Sequence, residues 1–120
     1  MEATRSKDIR KALESAGFSV YFPGQHKGEC TNPYIVVKDS GTVQLSTFSS
    51  IQYLYDILLY VPVNQFSKID PLMQTVKEAM KELSKKIALL PTYDMTDPYF
   101  DDSVQGYMTS ISYANIRRQI

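Results

Sequence analysis

The chain has 120 residues, the size of one domain built on one core. Its 13 Lys and Arg balance 13 Asp and Glu, so it lacks the surplus positive charge that tracks nucleic-acid phosphates. No apolar run of about 18 to 20 residues is present to cross a bilayer, and one Cys and one His exclude an internal disulfide and the usual zinc clusters.

Residues 1–11 alternate charges with small polar groups and hold no apolar stretch of the kind a signal peptide uses, so the cytoplasm is the expected compartment. Ile9, Ala12, Leu13 and Ala16 recur at helical spacing and predict a first helix over 7–16, stopped by Gly17. Phe18, Val20 and Phe22 alternate as a strand that Pro23 and Gly24 end. A polar loop over 25–32 carries His26 and Cys30. A second strand over 34–38 follows, closed by the turn formers Asp39, Ser40 and Gly41.

Residues 42–52 are polar and weakly patterned, and are expected to form an extended arm or an edge hairpin. The strongest strand is 53–61. One face of it carries Tyr53, Tyr55, Ile57, Leu59 and Val61 and must be core, while the other carries Leu54, Asp56, Leu58 and Tyr60. Three large apolar residues around one carboxylate exceed what a solvent face ordinarily holds, so something is expected to cover them. Asp70 and Pro71 predict a helix start, and Leu72, Met73, Val76, Ala79, Met80, Leu83 and Ile87 form one stripe. The charges around that helix, including Glu82 placed four residues before Lys86, suit a solvated face. Residues 93–102 are acidic and rich in turn formers and are expected to be a loop. Residues 106–114 predict a last strand with Tyr107, Thr109, Ile111 and Tyr113 on one side, and a short basic tail ends the chain.

The expected fold is α+β: a two-layer sandwich with a mostly antiparallel sheet of about four strands, two helices on one face and the other face bare. Nine Tyr, five Phe and no Trp favour surfaces shared with a partner, although strands also prefer Tyr.

Catalysis needs a base poised near neutral pH with a nucleophile or metal beside it, and little of that is present. His26 and Cys30 are four residues apart, but two ligands do not close a tetrahedron, and an ordinary loop pair is the plainer reading. Asp94, Asp97, Asp101 and Asp102 do not have EF-hand spacing and are interrupted by Pro98, which favours a solvated acidic turn over a cation site. The five glycines are dispersed, so no loop cradles phosphate, and no cofactor or metal is expected. Arg117 and Arg118 suit charged contacts across a subunit boundary with Asp101 and Asp102, against the alternative of a solvated tail.

Several segments together carry a family resemblance. They are the short N-terminal helix, Gly17-Phe18-Ser19-Val20-Tyr21-Phe22-Pro23, Asn32-Pro33-Tyr34-Ile35-Val36-Val37, the long strand ending Leu58-Leu59-Tyr60-Val61-Pro62, the amphipathic helix, and Gly106-Tyr107-Met108-Thr109-Ser110-Ile111. In order and texture the chain resembles, over nearly its whole length, the tail terminator and tail completion proteins that join head to tail in long-tailed phages and prophage remnants. The resemblance implies a non-enzymatic virion subunit, made in the bacterial cytoplasm. It would form a hexameric homo-oligomeric ring that caps the tail tube protein and docks to the head-side connector protein, without binding specific nucleic acid or a membrane. The expected interface residues are Leu54, Leu58 and Tyr60 for subunit or tube contacts, Val43, Leu45 and Phe48 in the arm, and Arg117 and Arg118 against Asp101 and Asp102. Two other readings stand beside it. One is a small-molecule or regulatory binding module on a ferredoxin-like sheet, with its pocket between the bare face and loop 25–32. The other is a thiol or metal enzyme centred on His26 and Cys30.

Overall fold

Helix α1 (Ser6–Ser15) places Ile9 and Leu13 one turn apart and buries both completely, while Arg10 and Glu14 pair on its outer side at 3.1 Å. It ends at Gly17, where φ is +102°, a backbone conformation that a side chain would strain. This computed structural model describes residues 6–25, 28, 30–44, 50–87 and 89–118, with the backbone alone at 43–44, 50–51, 93–95 and 116–118.

Strand β1 is only Val20–Tyr21, paired parallel to Ile35 and Val36 of β2 (Tyr34–Gln44). The predicted alternation from Phe18 to Phe22 contracts to two residues because the Phe22 N–H is taken by the Gln25 side chain at 2.7 Å and Pro23 has no donor. Strand β2 does not close at residues 39–41. Asp39 pairs with Tyr55 and Gly41 with Leu54, so Ser40 is the extra residue of a bulge, and the strand continues. The turn chemistry serves that bulge: the Gly41 N–H donates to Asp39 Oδ1 at 3.1 Å, and Gly41 has φ +104°. Both ends of the expected arm over 42–52 are therefore paired strand, and Leu45 and Phe48 lie outside the described residues.

Strand β3 (Ser50–Pro62) is central, flanked by β2 and by β5 (Gly106–Arg118). After Pro62 a 3-10 helix (Val63–Lys68) feeds directly into α2 (Ile69–Leu83). The Ile69 N–H already donates to the Phe66 carbonyl, so Asp70 sits in the first turn, where its charge suits the dipole, rather than at the predicted cap. Glu82 pairs with Lys85 at 3.1 Å, not with Lys86, in an exposed contact.

The predicted acidic loop 93–102 is instead part of a thirteen-residue strand, β4 (Leu89–Asp101), antiparallel to β5. Two register irregularities, after Pro91 and after Thr96, and a position at the sheet edge let it tolerate Pro91 and Pro98, which donate no hydrogen bond. The basic tail is likewise strand, since β5 runs to Arg118.

The sheet has five strands in the order β1-β2-β3-β5-β4, rather than about four, and is antiparallel except for the short β1 pairing. Its core face carries Ile35, Val37, Tyr55, Ile57, Leu59, Val61, Ile111 and Tyr113, packed with Ile9 and Leu13 of α1 and Ile69, Met73, Val76 and Met80 of α2. Both helices therefore lie on that one face, as the alternation in residues 53–61 requires. The α+β class stands. No described helix is long and apolar enough to cross a membrane. The long strands stretch the molecule to 48 × 25 × 25 Å.

Candidate interaction surface on the second face of the sheet

Side chains directly opposite one another in adjacent strands share a face, so the pairing register lays out the second face as rows. The first row is Tyr34, Tyr60, Met108 and Tyr99, the second Val36, Leu58, Ser110 and Thr96. Lys38, Asp56 and Ser112 make the third, and Gly41, Leu54, Ala114 and Leu90 the fourth. This one surface unites Leu54, Leu58 and Tyr60.

The face is not uniformly bare, which corrects the sequence expectation at one end. The segment before β2 folds back over the first row, with the Cys30 N–H donating to the Val104 carbonyl at 2.7 Å. Beneath it Tyr34 is only 4 % exposed, and Met108 is buried as well. The Tyr34 ring stacks on Tyr60 at 4.8 Å and meets the edge of Tyr21 at 5.6 Å. Leu54, Leu58, Tyr60 and Val36 remain half-buried, and no described helix lies over them.

Burial pushes the Tyr34 phenol well above its ordinary value, with Cys30, Tyr60 and Asp101 adding to the rise. Burial also raises Tyr60, again with a contribution from Asp101, and it raises the Cys30 thiol. Cys30 therefore stays a neutral thiol, its Sγ donating to the Asn32 carbonyl at 3.4 Å, and is not poised as a nucleophile. His26, the other half of the proposed thiol pair, lies outside the described residues.

The carboxylate in the middle of the apolar stripe is held internally. Asp56 accepts from Ser40 Oγ at 2.6 Å through one oxygen and from Ser112 Oγ at 2.5 Å through the other. The β2 bulge is what brings Ser40 to it. Next to this group, Thr96 and Ser110 exchange a hydrogen bond at 2.8 Å.

The remaining predicted positions are separated. Asp101 takes the Ser103 N–H and hydroxyl, and Asp102 takes the Gln105 amide, so both are part of the β4–β5 turn. The backbone of Arg117 and Arg118 pairs with Ile51 and Ser50 at the opposite end of β5, about 40 Å away at the usual strand rise. One protomer thus does not bring these charges together. Val43 pairs with Gln52 where β2 and β3 run together. Among the described residues no three His, Cys, Asp or Glu side chains converge as metal ligands.

Sequence reasoning passed over an apolar knob at the turn end of the helix face. Val63 and Phe66 of the 3-10 helix are each 50 % exposed, and Phe100 of β4 is 43 % exposed. Phe66 and Phe100 both meet the Tyr107 ring edge-on, at 4.7 and 5.6 Å. The available signal was Val63 and Phe66, one and four residues after the strand-breaking Pro62, and the aromatic pair Tyr99 and Phe100 within the acidic segment. No protein-family model matches this chain, and no curated protein shows a significant sequence match to it.

Proposed function

We propose that this chain is a non-enzymatic structural subunit of a phage or prophage virion, made in the bacterial cytoplasm. In this reading it forms a ring, hexameric by the resemblance described above, that terminates the tail tube and joins it to the head-side connector. The observation that carries the reading is the second sheet face: Leu54, Leu58 and Tyr60 stay half-buried while both helices lie on the opposite face. The mechanism is geometric. Subunits associate head to tail until rotation closes the ring, and its two sides present different surfaces to tube and connector. The end of the β2–β3 pair and the second face are assigned to those partners. The separation of Arg117 and Arg118 from Asp101 and Asp102 along one protomer suits contact between neighbouring copies.

Sedimentation of the purified protein, followed by electron microscopy, tests this directly. Closed rings that bind the ends of tail tubes are the expected result. A protein that remains monomeric at high concentration and never joins tails overturns it.

A second reading rests on a cavity of about 330 Å³ over the first two rows, lined by Tyr34, Val36, Lys38, Leu58, Tyr60 and Asp101. Here the chain is a small-molecule or regulatory binding module. A metabolite that raises the melting temperature of a strictly monomeric protein would favour it over the ring.

A further inference from the structure

A head-to-tail contact needs two different surfaces on one chain that fit each other. The helix layer carries such a pair. The first is the knob of Val63, Phe66 and Phe100 at the turn end of the molecule. Phe100 is flanked in the chain by the exposed carboxylates Asp97 and Asp102. The second is a groove of about 330 Å³ between the C-terminal half of α2 and β4, with Met80, Leu89 and Ile111 in its floor and Lys77 and Lys81 at its rim.

Lys77 and Lys81 border this groove, whereas the separate cleft towards α1 has one charge of each sign, Glu82 and Lys86. The groove is thus apolar inside and basic at its edge, while the knob has two exposed carboxylates close to Phe100 in the chain and one exposed cation, Lys68, two residues from Phe66. The lysines of the groove rim and the carboxylates beside Phe100 are of opposite sign, as the two halves of one contact require. Within a protomer they cannot meet: Pro91 at the groove pairs with Tyr113 and Phe100 in the knob with Tyr107, six residues apart along β5, about 20 Å.

We infer that the knob of one copy, with Asp97 and Asp102, seats in the α2–β4 groove of the next copy against Lys77 and Lys81. The occupant of the groove is therefore a second copy of this chain. The inference rests on the ring reading and deepens it by separating the subunit contact from the second sheet face, which stays available to tube and connector.

Charge reversal tests the pairing. The variant Lys77→Glu/Lys81→Glu and the variant Asp97→Lys/Asp102→Lys each set like charges against one another and should associate about 100-fold more weakly than the wild type. All four substitutions in one chain restore opposite charges and should restore assembly. Because Asp102 also holds Gln105, Phe66→Ser serves as an independent knob variant away from the turn, and it too should weaken association. Melting curves verify folding.

Reversal variants that assemble like the wild type overturn this contact while leaving the ring reading intact. A folded fourfold variant that stays as weak as its parents overturns the pairing. A wild type that halts at a dimer overturns the head-to-tail geometry. A wild type that never assembles rejects the ring reading itself, and the contact falls with it.

Discussion

Leu58 and Leu59 are chemically identical neighbours on β3 that face opposite ways, and truncating each to alanine measures how different the two sheet faces are. Leu59 is fully buried, paired between Ile35 and Thr109. Leu59→Ala removes that transfer energy and leaves a cavity inside a packed layer, a cost of about 2–5 kcal/mol. Leu58 lies between Val36 and Ser110 and is half-buried on the face that no described helix covers. Solvent fills the space it vacates, so Leu58→Ala loses only part of a leucine's transfer energy, about 1 kcal/mol. Urea unfolding at concentrations where the protein is monomeric should give both variants the wild-type m-value, with the midpoint displaced several times further for Leu59→Ala. Because this face is assigned to the tube and connector and not to the contact between subunits, Leu58→Ala should leave ring formation unchanged and weaken the binding of rings to tail tubes. Equal costs in the monomer would mean that the second face is already sealed, and the case for a partner surface on it would fail.

Gly106→Ala should destabilise by about 1–3 kcal/mol in the same unfolding assay, because an added Cβ would lie 2.7 Å from the Val61 carbonyl oxygen and 3.0 Å from Cys30 Cβ. Removing Cys30 as well should relieve only a part, since the paired backbone of β3 cannot withdraw. Alkaline stability follows from the raised phenols. Tyr34, Tyr60 and Tyr113 remain protonated in the folded state above the ordinary tyrosine value of about 10, where the unfolded chain has released those protons, so stability is full below that pH and falls as pH rises beyond it. Melting temperatures across pH 9–12 check this, with a slope of up to about 1.4 kcal/mol per pH unit for each buried phenol and less for the half-exposed Tyr60. A flat profile contradicts the burial of Tyr34 and Tyr113. Cys30, buried and with its thiol raised, should react with an aromatic disulfide at least about tenfold more slowly in the folded protein than in urea.

The sequence was legible where one periodicity dominated. The alternation of Tyr55, Ile57, Leu59 and Val61 is buried as read, and of the stripe assigned to α2 Met73, Val76 and Met80 are buried while Leu72, Ala79, Leu83 and, past the end of the helix, Ile87 are half-buried against the core. It misled where turn chemistry serves another purpose. Asp39, Ser40 and Gly41 shape a bulge rather than a reversal, because the partner strand continues past them and supplies the pairing that a turn would forgo. The acids and prolines of β4 conceal a strand for a related reason: at a sheet edge one side of the backbone needs no partner, so local propensity against strand is overridden by pairing with β5. The 3-10 helix has too few residues to show a period. The roof over Tyr34 depends on a contact between Cys30 and Val104, seventy-four residues apart, which no local pattern encodes.

The arrangement around Asp56 bears on what kind of surface can cover the second face. A carboxylate meant only for water needs no internal donors, yet Asp56 has a serine hydroxyl on each oxygen, one of them supplied by an extra residue inserted into β2. Those two bonds lower the cost of removing water from the group when another surface closes over it. Leu54 and Leu58 on either side then gain from the same burial that the carboxylate tolerates. A partner for this face consequently requires no matching cation above Asp56. It requires an apolar surface broad enough to span the rows of Leu54 and Leu58, and that demand differs from the charged rim of the α2–β4 groove. The two surfaces can therefore select different partners on the same subunit.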